Sequence, residues 1–86
     1  MIQLLDFWAP WCGPCQAMQP IIEEIEKEFK GKVELVKINV DEKPEEASRF
    51  GVMSIPTLVI LKGKKEIGRK IGQTTKAELL KLLTGS

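Results

Sequence analysis

The 86 residues of the chain, 43% apolar and 29% charged, are enough for one folded core and too few for two, so residues 1–86 are expected to form a single domain. Thirteen Lys and Arg residues against twelve Asp and Glu residues leave a net charge of +1, which gives nucleic acid or an anionic membrane surface no basic field to bind. Two cysteines and no histidine exclude a tetrahedral zinc site within one chain and a Cys-His nucleophile pair.

Residues 1–6 carry neither a positively charged leader nor a long apolar stretch that ends in small residues. We therefore expect a cytoplasmic protein, with a processed precursor as the alternative. The apolar content is too often interrupted by charge for a membrane span, so we expect no membrane partner.

An apolar run over residues 2–8 predicts a central strand that is buried on both faces. After a short turn, apolar side chains recur with helical spacing up to Gly31, which predicts a helix over residues 12–30. Pro20 lies inside this helix and predicts a kink, because proline lacks the backbone donor of an interior helix residue.

The β-branched residues over 33–40 predict a second strand, which the long helical crossover makes parallel to the first. Pro44 suits the first position of a short helix that ends at Phe50. These segments together form one right-handed βαβ unit followed by a brief helix.

Residues 57–61 and 66–71 predict two strands that a tight polar turn joins, so they should pair antiparallel. Thr75, with Glu78 in the third position after it, has the spacing of a capping box at the start of a last helix. The predicted order is therefore β-α-β-α-β-β-α, which indicates the α/β class.

Cys12 and Cys15 lie where the buried first strand gives way to the first helix. Side chains at this spacing share a helix face, so the two sulfurs can close a small ring. The unpaired N–H groups and the dipole of the helix N-terminus favour a thiolate at Cys12, and a thiolate is the attacking species in disulfide exchange. A structural disulfide or half of a zinc site is the alternative interpretation of the pair.

Residues 6–15 resemble the active-site signature of the thioredoxin family, and Pro20 matches the proline that follows it. Residues 54–57 resemble the second signature of that family. The resemblance spans essentially the whole chain. Other positions typical of the family are occupied by Lys37, residues 39–41, Gly51 and Gly72.

The resemblance implies a thioredoxin-like fold, a four-stranded mixed sheet flanked by helices, with the strands in the order second, first, third, fourth. It also implies a protein dithiol-disulfide oxidoreductase that reduces oxidised protein substrates, is re-reduced by a thioredoxin reductase or an equivalent electron donor, and needs no cofactor. A disulfide oxidant or isomerase is one alternative, although such proteins more often carry a histidine between the cysteines. A non-catalytic binding module of the same fold is the other.

By the same resemblance, Cys12 is the attacking thiolate and Cys15 is the buried thiol that resolves the mixed disulfide. Asp6 resembles the family's buried carboxylate beneath the cysteines, where burial raises the pKa and allows proton exchange with Cys15 through water. Lys37 resembles the buried partner of that carboxylate, and strand alternation turns it inward. A surface position at the strand end for Asp6 and a solvated side chain for Lys37 are the alternatives.

Pro56 resembles the family's cis proline beside the cysteines, and Ile55 is expected to offer its backbone to an extended segment of the target protein. A flat apolar patch around Cys12 is expected to complete this contact, since such a surface suits many different partners. The other residues expected to contact substrate are Trp11, Gly13, Pro14 and Gly72.

Typical members of the family carry a further strand and helix before the segment that corresponds to residue 2. Without them, the strand at 33–40 forms an edge of the sheet. We therefore expect lower stability, partly exposed apolar surface on the face of the short helix, or self-association that covers this surface. The protein is accordingly expected to be a monomer or a weak dimer through the uncovered edge.

Overall fold

A computed structural model of the protein describes residues 2–84. Within that range the order of elements is the predicted β-α-β-α-β-β-α. The first helix begins at Gly13 rather than Cys12 and ends at Glu28 rather than Lys30. The elements are β1 (Ile2–Trp8), α1 (Gly13–Glu28), β2 (Val33–Asn39), α2 (Pro44–Arg49), β3 (Thr57–Lys62), β4 (Lys65–Ile71) and α3 (Lys76–Thr84).

The strands form one four-stranded mixed sheet in the order β2-β1-β3-β4, as predicted. β1 pairs in parallel with β2, where Asp6 lies opposite Lys37, and antiparallel with β3, where Asp6 lies opposite Leu58. β4 pairs antiparallel with the other side of β3. Because β1 lies inside the sheet, a side chain at its centre has a neighbouring strand on both sides.

The larger of two apolar clusters lies between the sheet and the helices α1 and α3. Successive strand side chains point to opposite faces, so Leu4 and Leu58 reach this cluster from adjacent strands. The helices contribute side chains at helical spacing, which places them on one stripe. The buried members are Leu4, Met18, Ile22, Ile25, Val33, Leu58, Ile60, Leu79 and Leu83.

The opposite face of the sheet packs against the short helix α2 and the loop after it. Its buried side chains are supplied by three strands, and half-buried Ala47 and Phe50 cover them. The ring of Phe50 lies 5.8 Å from the ring of Phe7, centroid to centroid. The buried members of this second cluster are Leu5, Phe7, Ile38, Val59 and Leu61.

Local hydrogen bonds set the ends of α1 and α3. α1 continues through Pro20, and the chain leaves it at Gly31, whose φ of 86° lies in the left-handed region that glycine tolerates. At the start of α3, Thr75 Oγ1 accepts the backbone N–H of Glu78 over 3.2 Å. The Glu78 carboxylate accepts the hydroxyl of Thr74 over 2.7 Å instead of closing the second half of the predicted capping box.

Among residues 2–84, no helix has the length and apolar character needed to cross a membrane. The same range contains no group of three or more His, Cys, Asp or Glu side chains arranged to hold a metal ion.

Candidate active site

The candidate site lies at the connection between the end of β1 and the start of α1. After Trp8 the chain turns through residues 9–11, and the backbone N–H of Cys12 donates to the carbonyl of Ala9 over 3.1 Å. Cys12 keeps an extended backbone, so it is the N-cap of α1. Pro14 occupies the first turn of the helix, where its missing N–H leaves no intrahelical bond unmade.

Cys12 and Cys15 form a disulfide, with their Cα atoms 5.2 Å apart. The backbone N–H of Cys15 donates to Cys12 Sγ over 3.2 Å. Both side chains are buried, with 4% of Cys12 and 1% of Cys15 exposed, so Cys12 is the more accessible of the two. A thiolate formed at Cys12 on reduction would lie at the positive end of the helix and accept this N–H, and both interactions favour the charged sulfur.

Asp6 lies on β1 with only 1% of its surface exposed. Gln19, one turn along α1 from Cys15, places Nε2 3.4 Å from Asp6 Oδ2 and 3.5 Å from the carbonyl oxygen of Cys15. Burial raises the pKa of the Asp6 carboxyl above its ordinary value, because a buried charge loses its hydration. The Gln19 hydrogen bond and the positive charge of Lys37 lower that pKa part of the way back.

Lys37 is exposed, so the prediction of a buried lysine is wrong. It shares the sheet face of Asp6, as strand alternation indicates, and lies opposite Asp6 in the parallel ladder. β2 is an edge strand, however, and a long side chain there reaches water at the rim of the sheet. The Lys37 ammonium donates a hydrogen bond to Gln19 Oε1, so Gln19 lies between it and the carboxyl.

The loop before β3 brings the second predicted group of residues to the cysteines. The Ile55–Pro56 peptide bond is cis, and Pro56 is buried. Ile55 packs against the small cluster of Ala9, Cys12 and Cys15. The backbone N–H of Gly72, from the far end of β4, donates to the Pro56 carbonyl over 2.8 Å. Ile55 therefore meets the cysteines, and Gly72 is joined to the neighbouring Pro56.

A family model described as Thioredoxin matches residues 1–85. The chain belongs to the thioredoxin family. It is 46% identical over 80 residues to thioredoxin 1 of a Nostoc species, which covers 93% of this chain and 75% of that protein. It is 51% identical over 77 residues to the thioredoxin of Rickettsia felis, covering 90% of this chain and 73% of that protein.

The fold agrees with that assignment. A solved structure of a mutant thioredoxin from Halobacterium salinarum superposes with a TM-score of 0.90 at 33% identity, covering 98% of this chain and 73% of that chain. The protein is thus a thiol-disulfide oxidoreductase with a redox-active cysteine pair, and its activity is disulfide reduction.

The surface of this thioredoxin beside the disulfide is apolar. Trp11 is 69% exposed, and its indole N–H donates to Asp41 Oδ2 over 2.8 Å. Met53 is 97% exposed, and Gly13 and Pro14 also lie at the surface. A groove of about 330 Å³ is lined by Trp11, Val40, Ala47, Val52, Met53, Ser54 and Ile55.

Sequence reasoning missed two residues of this site. Gln19 follows Cys15 by one helical turn, so its position on the same face of α1 is readable from spacing. Nothing in the spacing indicates that it meets Asp6, because that contact depends on how α1 lies on the sheet. Met53 lies in the loop before Pro56, and its exposure beside Trp11 follows only from the tertiary structure.

Proposed function

We propose that this thioredoxin reduces disulfides of other proteins in two steps. The Cys12 thiolate attacks one sulfur of the target disulfide, forms a mixed disulfide and releases the other target sulfur as a thiolate. The Cys15 thiolate then attacks Cys12 Sγ, which frees the second target thiolate and leaves the Cys12–Cys15 disulfide. The observation that carries this assignment is the Cys15 N–H directed at the sulfur of Cys12, the more exposed cysteine, at the start of a helix.

Asp6 is proposed to accept the proton of the Cys15 thiol, through water, when Cys15 attacks. Its buried position and raised pKa suit a carboxyl that accepts a proton, and Gln19 touches both Asp6 and the backbone of Cys15. Lys37 is proposed to act on this step through its charge, since it is exposed and its hydrogen bond goes to Gln19.

The target segment is proposed to lie in extended form along the loop before Pro56, with Ile55 supplying backbone hydrogen bonds. The exposed apolar side chains beside the disulfide support a contact that tolerates many targets. The proposed substrate-contacting residues are Trp11, Gly13, Pro14, Ile55, Pro56 and Gly72.

Replacement of the resolving cysteine tests the two roles. Cys15→Ser keeps the attacking thiolate but removes the group that breaks the mixed disulfide, so a covalent complex with an oxidised protein substrate should accumulate. Non-reducing electrophoresis and intact mass spectrometry measure it. Cys12→Ser is the matched control and should trap no complex; a complex at Cys15 in that variant, or none in Cys15→Ser, would contradict the assignment.

The native protein should accelerate dithiothreitol-driven precipitation of insulin, and Cys12→Ser should not. The redox potential of the cysteine pair separates a reductase from an oxidant or isomerase, because the latter hold a less reducing couple. A non-catalytic binding module predicts instead that partner affinity survives replacement of both cysteines by serine.

Re-reduction is proposed to come from a thioredoxin reductase or an equivalent donor in the cytoplasm, so that the protein carries electrons to its targets. Residues 1–86 are proposed to act as one domain.

Weak self-association through β2 is proposed because, within residues 2–84, the outer edge of that strand pairs with no other strand. Beside it a groove of about 610 Å³ has half-buried Val36 and Phe50 in its wall. Size-exclusion chromatography with light scattering should show mass rising with concentration. A constant monomer mass would contradict this proposal and leave the chemistry untouched.

A further inference from the structure

Three polar side chains from three elements form a line that ends at the buried carboxyl. Asp6 on β1 is 1% exposed, Gln19 on α1 is half-buried, and Lys37 on β2 is exposed. Gln19 Nε2 donates to Asp6 Oδ2 over 3.4 Å, and Gln19 Oε1 accepts the Lys37 ammonium. A side-chain amide has a donor and an acceptor on opposite arms, which suits it to join an anion to a cation.

The lysine depends on this amide for its position. Asp6 and Lys37 lie opposite each other in the ladder, but no direct hydrogen bond joins them in the described structure. Gln19 is the hydrogen-bond partner that the structure gives the Lys37 ammonium within residues 2–84. An exposed lysine without such a partner samples many rotamers, and water screens its charge.

We propose that Gln19 is a positioning residue whose amide holds the Lys37 ammonium near the Asp6 carboxyl and so couples an exposed cation to the buried acid. Lys37 then acts on Asp6 through Gln19, and its influence disappears when the amide is removed. The catalytic importance of this coupling rests on the proposed role of Asp6 in deprotonating Cys15. The coupling between Lys37 and Asp6 does not depend on that role.

Few groups other than these can act on Asp6. The paired position on β3 is the apolar Leu58, and Cys15, one turn before Gln19 on α1, is held in the disulfide and does not titrate. Both Gln19 and Lys37 lower the pKa of the Asp6 carboxyl. Loss of Gln19 removes its own hydrogen bond and releases the lysine, so both changes raise the pKa of Asp6.

The experiment is an NMR titration of the oxidised protein labelled with ¹³C-aspartate. The sequence contains two aspartates, Asp6 and the exposed Asp41, so the carboxyl signals are few and Asp41 is an internal reference. The native protein is compared with Gln19→Met, Lys37→Met and the double variant. Methionine keeps the length of the side chain and removes its polar group.

Gln19→Met should raise the pKa of Asp6, and so should Lys37→Met in the native background. In the Gln19→Met background, Lys37→Met should leave the pKa of Asp6 nearly unchanged, because the lysine has already been released. Equal increases in the two backgrounds would show that Lys37 acts without Gln19 and would overturn the proposal. An unchanged pKa in Gln19→Met would overturn it as well.

Gln16→Met is the matched control, because Gln16 lies on the same helix and its amide donates to the carbonyl of Pro10 over 2.7 Å, away from Asp6. It should leave the pKa of Asp6 where it is. If Gln19→Met fails to fold, Gln19→Ala makes the same comparison with a strong helix former. The titration needs no turnover, so it can succeed even if the trapping experiment fails.

Discussion

Asp6 lies in the interior of β1, and its carboxyl group is on the face of the sheet that packs against α1, opposite to the side chains of Leu5 and Phe7. Burial raises the pKa of Asp6, and Gln19 and Lys37 only partly offset this. The folded protein therefore holds a proton on Asp6 at pH values where the unfolded chain, with an aspartate pKa of about 3.9, has lost it. Asp6, the residue that suits proton transfer, therefore lowers the free energy of unfolding when it is ionised.

The sign of the pH dependence follows from proton binding. Between the unfolded pKa of about 3.9 and the raised pKa of the folded state, the folded protein binds more protons, so stability falls as pH rises through that window. At pH values above this window Asp6 is ionised in the folded protein, and the fold bears the full free-energy cost of a buried carboxylate. At pH values below the window Asp6 is protonated in both states, and this cost is absent.

Asp6→Asn should therefore raise the free energy of unfolding at pH values above the window, by about 1.4 kcal/mol for each pH unit that the window spans, because the amide carries no charge to desolvate. The gain should shrink as pH falls and vanish below about pH 3.9. Urea unfolding over a pH series measures it. Asp41→Asn, at an exposed position, is the control; a gain independent of pH would contradict the titration of Asp6 as its cause.

At the scale of single elements, α1 supplies both the N-cap Cys12 and the bridging Gln19. The helix runs through Pro20 because that residue lies on the exposed face, where water can bond the carbonyl that proline leaves without a donor. The predicted end at Lys30 is too late, since the helix closes at Phe29 and Gly31 takes a left-handed backbone. The backbone geometry of the capping residues, rather than the spacing of apolar residues, determines where α1 begins and ends.

Capping of α3 can be tested independently of the active site. Thr75→Ala removes the oxygen that accepts the N–H of Glu78, so the free energy of unfolding should fall by about 1 kcal/mol. Thr75→Ser keeps an acceptor and should remain within a few tenths of the native value. Urea denaturation compares the two; equal losses would show that the methyl group, not the cap, matters.

At the scale of the whole molecule, two apolar clusters hold the sheet from its two faces, and the larger one joins α1 to α3. Ile22 lies inside this cluster with none of its surface exposed. A domain of this size has a total stability of about 5–15 kcal/mol, so one core side chain is a large fraction of it.

Ile22→Ala should lower the free energy of unfolding by about 2–5 kcal/mol, through lost burial and the cavity left behind. Ile67→Ala, at a side chain 45% exposed on β4, should cost about 0.5 kcal/mol or less. Thermal and urea unfolding of both variants measure this. Similar losses at the two positions would show that the cluster is not the main source of stability.

The order of elements and the place of the cysteine pair could be derived from the sequence alone. The run of β1, apolar except for Gln3 and Asp6, the helical spacing of α1 and the polar turn between β3 and β4 are different local patterns. Each pattern therefore indicates the type of its own element. The position of Cys12 and Cys15 follows from the order of β1 and α1, because the residues between a strand and the helix after it lie at the N-terminus of that helix.

The surroundings of the disulfide were decided only by the tertiary structure. Gly72 meets Pro56 because β4 returns beside β3, and Gln19 meets Asp6 because α1 lies across the sheet at one particular rotation. Lys37 was assigned to the correct face, but its exposure depends on β2 being an edge. Local periodicity gives the direction of a side chain from its own strand or helix; which side chain it meets depends on how separate elements pack.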